Sequence, residues 1–440
     1  MQQYFNDVAD TLQTLLAGDE VYTATFGGEE SDFVRFNKSQ VRQAGAVTQR
    51  EVTVDLIAGR RHAAGSTTLA GDLELDRPRL AELIEDLRET RQHVPEDPYL
   101  LYATEPRSGE RLAENRLPDG AAAVGAVRDA GKGRDLVGIY AAGGIHTGFA
   151  SSLGQRNWYT SYSYNLDWCF YHRADKAVKT NYAGFEWDPA VFDHKVALAS
   201  EQLAAVAHTP IDIKPGRYRV YLAPAALYEL VGFLSWGGFG LKAHRTKQTP
   251  LLRMIEGEAR LAPGVSISEH TAQGVAPNFQ GAGFIRPDKV DLIKDGGFAQ
   301  CLVSPRSAQE YGVPTNGASS REAPESLELS AGDVPQQEAL SRLGTGVWVG
   351  NLWYLNYSDR TACRTTGMTR FATFWVQDGQ IKAPLNVMRF DETVYRVLGE
   401  NLVGLTAEQE MILNSDTYFK RSTTSGRVPG ALVEDFAFTL

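Results

Sequence analysis

Apolar positions recur at helical spacing at the start of the chain and at alternate positions over much of its remaining length. Tyr4, Val8, Leu12 and Leu15 share one face ahead of Gly18, so the spacing predicts an N-terminal helix that stops there. Residues 21–70 read as strands. Phe33–Phe36, Gln40–Ala44, Gln49–Ile57 and Arg60–Thr68 are β-rich runs separated by Asn37-Lys38, Gly45 and Gly59-Arg60. Leu80, Leu83, Ile84 and Leu87 predict an amphipathic helix over 77–91, and 93–133 is loop-rich with one more short helix. Strands are expected at 136–143 and 146–152 with Gly143-Gly144 as their turn, and then a long aromatic strand from Asn157 to Tyr171. Asp188-Pro189 is a cap followed by proline at the first helical position, and it opens a helix over 189–208.

Pro210, Pro215 and Gly216 then mark a linker, and a domain boundary is placed near 210. The second half opens with strand Tyr218–Ala223 and a helix from Pro224 to about Ser235. Residues 312–335 read as a polar loop, Gly346–Asn351 and Thr373–Gln377 as strands, and Asp378-Gly379 as a hairpin turn. A helix near 391–400 and a strand over 431–438 complete the pattern. The fold class expected is α+β: a mixed N-terminal domain with an antiparallel sheet (1–209) and a β-rich C-terminal domain (210–440).

Composition narrows the function. The net charge is −10 over 440 residues, which disfavours a phosphate backbone as partner, and basic clusters such as Arg60-Arg61-His62 are short. No run of roughly 18 apolar residues is present and the N-terminus lacks a signal-peptide pattern, so no membrane partner is expected and the cytoplasm is the default. The three cysteines form no CxxC pair, as suits free thiols in a reducing compartment. Gly143-Gly144 and Gly237-Gly238 fit no nucleotide-binding pattern.

The segment richest in chemistry runs from Tyr218 to Phe233. A strand feeds a helix that begins on Pro224 and is apolar on nearly every face except at Glu229. Such a helix is normally buried, and a buried carboxylate is costly unless paired or functional. Elsewhere, His244, Glu256, Glu258 and His270 lack HxH or HxxxH spacing and read as surface residues. Cys363 lies between Arg360 and Arg364, cations that would favour a nucleophilic thiolate, but reads more simply as a turn cysteine.

The Tyr228-Glu229-x-x-Gly232-Phe233 segment resembles the TldD/PmbA family (TldD/TldE, the "modulator of DNA gyrase" peptidases). Further resemblance lies in SDFVRFNKSQVRQAG near the N-terminus, GFAQCLVSPRSAQEYG, the Asn316-Gly317 loop followed by Arg321, and residues 344–381. Catalytic members carry His-Glu-x-x-Gly-His on the matching helix, and a Cys ligand near the C-terminus. Here Tyr228 and Phe233 stand at the histidine positions, and the stretch Tyr418–Pro429 has no cysteine. Zinc needs converging nitrogen or sulfur donors, and ligands five residues apart on a helix also need a local widening, which Gly232 would permit. No metal and no other cofactor is therefore expected, and Tyr228, Glu229, Gly232 and Phe233 read as a degenerate site with no catalytic residue.

The resemblance implies a peptidase of two homologous subunits acting on unfolded or extended peptides, with this chain the zinc-less one, inactive when isolated. Its implied partner is a TldD-like zinc-bearing homologue, or a second copy of itself. Glu229 is either a remnant base or substrate contact, or, as the simpler reading has it, an ion-pair partner of Lys242 or Arg245. Two other functions stay open: a self-sufficient hydrolase with relocated ligands or a Cys nucleophile, and a non-enzymatic peptide- or partner-binding protein.

Overall fold

The computed structural model describes residues 1–174 and 176–440. Alternating patterns resolve into two large sheets. The first is built from β1 (Val21–Asn37), β2 (Gln40–Ala58), β3 (Arg61–Thr68), β4 (Gly109–Leu112), β5 (Asp135–Ser151), β6 (Arg156–Arg173) and β7 (Lys176–Gly184). Its order is β3-β2-β1-β5-β6-β4, and β7 also pairs with β6. All these pairings are antiparallel except β4 with β6. Helix α1 (Gln2–Thr14) buries Phe5, Val8 and Leu12 against this sheet together with α2 (Leu73–His93), and α3 (Gly120–Ala130) and α4 (Pro189–Val206) cover other parts of it. The expected cap of α4 forms, with Asp188 accepting from the amide of Ala190 at 2.8 Å, whereas α1 ends at Thr14, capped by Leu15 and short of the expected Gly18.

The second sheet contains β8 (Gly216–Leu222), β9 (Ile267–Glu269), β10 (Val290–Lys294), β11 (Gly297–Phe298), β12 (Ser326–Leu329), β13 (Gly346–Asp359), β14 (Arg364–Gln377), β15 (Gln380–Pro384), β16 (Arg389–Thr393), β17 (Leu402–Leu413) and β18 (Ser425–Phe438). Strands β18, β16, β14, β13 and β8 pair in turn and β8 returns to β18, so this part closes on itself. Closure satisfies edge amides that an open sheet leaves bare. Helix α5 (Pro224–Gly232) packs on β13 and β18, with Leu227, Leu230 and Val231 fully buried. One apolar cluster joins the two sheets: Ala372 and Phe374 of β14 lie among Trp168, Tyr182 and Phe192.

Several expectations are corrected. Gly143-Gly144 is no turn: β5 runs unbroken through it. A Cβ at Gly143 would lie 2.0 Å from the Glu30 carbonyl, so the glycine serves close approach of β1. Gly45 does not break β2, because Phe33 pairs opposite it. Helix α2 starts before residue 77, since Asp72 caps it and buried Asp76 accepts from Ala70 and Gly71 amides and the Tyr4 hydroxyl. The helix expected near 391–400 is instead β16, paired with β14, followed by a short π turn over Arg396–Glu400. Strand pairing of Phe390 and Glu392 outweighs helical propensity there. The loop over 312–335 contains β12, which pairs with β9 and β18.

Candidate functional site

Helix α5 is where the sequence concentrates its chemistry. Ala223 is extended (ψ 158°) and Pro224 supplies the first helical φ, so the chain turns directly from β8 into the helix. The helix is regular through Gly232 and then tightens into a 3₁₀ turn over Phe233–Ser235. The widening that a pair of ligands five residues apart needs is thus absent, and the turn closes in the opposite sense. Phe233 is buried, with its ring centroid 4.4 Å from that of Trp236 and 4.6 Å from that of Tyr357. Tyr228 lies over Gly426 of β18, where an added Cβ would meet its ring at 2.2 Å.

Glu229 differs from the sequence expectation. It is exposed and points to a concave wall, and the ion pairs among the described residues include none to Lys242 or Arg245. The Lys242 amide donates instead to Glu322 at 3.0 Å. Crowding by protein raises the Glu229 carboxyl above the usual carboxylate range, against the pull of Lys179. The same crowding, with the neighbouring charge of Glu229, pushes the Tyr228 phenol up to about 12.

Two adjoining cavities meet at α5. One, of about 350 Å³, is lined by Tyr228, Glu229, Gly232, Phe233, Trp236 and Leu355. The other, of about 260 Å³, lies between the sheets and is bounded by Asn165, Asp167 and Lys179 of the first sheet and by Tyr228, Glu229 and Asn351 of the second half. Asp167 and Lys179 pair at 3.1 Å, and burial still raises the Asp167 carboxyl. The segment 413–425 crosses from this chamber to the first sheet. Arg421 drives into that sheet, donating to Ser31 Oγ (3.0 Å) and to the carbonyls of Ser163 and Gly143 (each 2.8 Å), with Glu29 at 3.7 Å.

A zinc site on α5 would need donors that these side chains lack. A neutral phenol and a phenyl ring flank Glu229, and among the described residues no three His, Cys, Asp or Glu side chains converge to hold a metal. The residues do not fit zinc. The other candidates are scattered. His270 pairs with Glu328 (2.8 Å), Glu256 with Lys247 (3.0 Å) and Glu258 with Arg253 (3.6 Å). Neither His244 nor His270 is a surface residue as expected; both are half-buried. Cys363 is fully buried at a turn, and burial pushes its thiol up to about 12 despite Arg360.

One pairing escaped the sequence. The ring of His244 donates from Nε2 to the Gly238 carbonyl at 2.7 Å, which leaves Nδ1 to accept from the Cys301 thiol at 3.1 Å. Burial and the charge of Glu322 push that thiol up to about 11, so it rests as S–H. Fifty-seven residues separate the two, and no spacing motif marks them.

The two sheets, the strand-to-helix turn and the chamber beside it define a two-sheet α+β protein. A family model described as the PmbA/TldA metallopeptidase C-terminal domain matches residues 215–440, and the chain belongs to the TldD/PmbA family. The metalloprotease PmbA of Escherichia coli O157:H7 is 28% identical over 142 residues; the match covers 32% of this chain and 30% of that protein. In fold, the chain is similar to TldE from Thermococcus kodakarensis (TM-score 0.80, 14% identity, 99% of this chain and 100% of that one). It is also similar to a candidate modulator of DNA gyrase from Thermotoga maritima (TM-score 0.76, 14% identity, 99% and 100% covered).

Proposed function

We propose that this chain is the zinc-less subunit of a cytoplasmic two-subunit peptidase of the TldD/TldE type, which holds extended peptides while a homologue supplies the metal. The observation that carries this reading is α5 itself. It keeps Glu229 and Gly232 on a chamber wall and sets Tyr228 and Phe233, neither of them a zinc ligand, at the two flanking positions. The division falls near residue 210, with residues 1–209 forming one half of the cleft and 210–440 the other. The partner is an HExxxH-bearing homologue, with a dimer of identical chains as the lesser form. The chain's own residues bind and orient; they hold no nucleophile and activate no water.

The test is reconstitution. The isolated chain is expected to leave an unfolded, fluorogenic polypeptide intact, and an equimolar mixture with an HExxxH homologue to cleave it faster than the homologue alone. Cleavage by the isolated chain at a comparable rate would overturn the reading. One observation favours a second reading, a cysteine hydrolase: the 3.1 Å contact of Cys301 with His244. Against it stands the raised thiol pKa, which withholds the thiolate.

A further inference from the structure

The chamber of about 260 Å³ between the sheets has room for several waters, and its charged groups are unbalanced in a particular direction. Its titratable side chains are Glu229 and Tyr228 of α5, Asp167 of β6 and Lys179 of β7. Asp167 and Lys179 neutralise one another at 3.1 Å, and the Tyr228 phenol is neutral, so Glu229 leaves one uncompensated negative charge. Asn165 and Asn181 each donate one N–H to the carbonyls of Leu413 and Met411 (3.4 Å each) and keep an acceptor oxygen beside their second N–H. Asn351, 9% exposed, lines the same chamber with an Oδ1 that has no hydrogen-bond partner among the described residues. A buried acceptor without a donor is costly, and native structures seldom retain one without a use.

We infer that this chamber receives a peptide ammonium group, either an α-amino terminus or a lysine side chain, held by Glu229 and by Asn351 Oδ1. An ammonium brings three donors and one positive charge, which is what one unpaired acceptor and a single excess carboxylate lack. Lys179 stays with Asp167 and bars a second cation. The inference rests on the peptide-binding reading above and adds a substrate preference to it: extended peptides enter with a free amine beside α5.

The full-length chain is titrated, with fluorescence anisotropy as readout, into three short Gly/Ala/Val peptides labelled at the C-terminus. One has a free N-terminus and no lysine, one is N-acetylated with a single lysine, and one is N-acetylated with acetyl-lysine. At least one amine-bearing peptide is expected to bind about tenfold tighter than the neutral one, the two amine probes separating the terminus from the side chain. Glu229→Gln is expected to abolish that preference, and Asn351→Leu to weaken it. Glu229 is exposed and outside the apolar core, so its variant tests binding apart from folding; thermal melts check both. Equal binding of all three peptides, or a preference that survives Glu229→Gln, overturns the inference and leaves the peptide reading standing. Binding of none overturns both.

Discussion

Arg421 offers the sharpest test of how the two halves are held around the chamber. Its guanidinium is 6% exposed and the carboxylate of Glu29 1%, and the two are 3.7 Å apart. Burial outweighs the attraction of Glu29 and brings the Arg421 pKa down to about 10, so the pair is not a strong source of stability relative to an apolar filling. Its loss on one side is another matter. Arg421→Met removes the donors to Ser31, Ser163 and Gly143 and leaves Glu29, among the described residues, with Gln49 Nε2 (2.6 Å) and the residue 421 amide (3.3 Å). An uncompensated buried charge costs about 3–5 kcal/mol, and the two surviving hydrogen bonds put the cost near the lower end, about 3 kcal/mol. If the chain unfolds as a unit, that is a fall in Tm of about 3 °C. Glu29→Gln in the same chain removes the stranded charge, so the double variant is expected to recover about 2 kcal/mol of the loss. The assay is urea unfolding of the four-member cycle, followed by tryptophan fluorescence. Chymotrypsin should also cut faster at Tyr418 and Phe419, each 91% exposed, once the segment loses its anchor. A neutral single variant, or a double variant no more stable than Arg421→Met, would refute the reasoning.

Three further outcomes are expected. Glu20, held by Arg88 and Arg91 at 2.8 Å each, has its pKa lowered from 4.5 to about 2. A depressed carboxylate stabilises the fold above its unfolded pKa, so acid titration should find this contribution intact at pH 5 and lost from about pH 4.5 towards 2, and Glu20→Gln should flatten that window and cost about 2 kcal/mol at neutral pH. Cys301 should alkylate slowly with iodoacetamide at pH 7 and speed up only on approaching pH 11, as mass spectrometry at Cys301 would record; fast labelling at neutral pH would revive the cysteine-hydrolase reading. Gly426→Ala should lower the Tm through collision with the Tyr228 ring, and Tyr228→Ala should restore much of the loss; no rescue would mean the ring is not what fills that space.

Much of the fold was legible because period and punctuation agree. Phe33, Asn37-Lys38 and Gly59-Arg60 mark β1, β2 and β3, and Asp188-Pro189 marks α4, since alternation, turn chemistry and capping act within a few residues. Where sequence reasoning erred, a distant partner decided. Gly143 looks like a turn until β1 is placed beside it, and the start of 391–400 looks helical until β14 pairs with it. The site was legible only along α5, where one strand and one helix carry it. The chamber opposite is built from β6 and β7 and from residues 412–415, all remote from α5 along the chain, so Asp167 and Lys179 gave no local signal. The charge of Glu229 was visible, but its company was not: Lys179 reaches it from the other sheet, and not Lys242 or Arg245 from its own half.

The central claim is that α5 no longer builds a zinc site. The most direct measurement is the zinc content of the purified full-length chain after equilibration with micromolar zinc and removal of the unbound metal, by inductively coupled plasma mass spectrometry. Far less than one zinc per chain is expected, unchanged by Glu229→Gln. One tightly held zinc per chain that is lost on substitution of Glu229 or Tyr228 would contradict the claim.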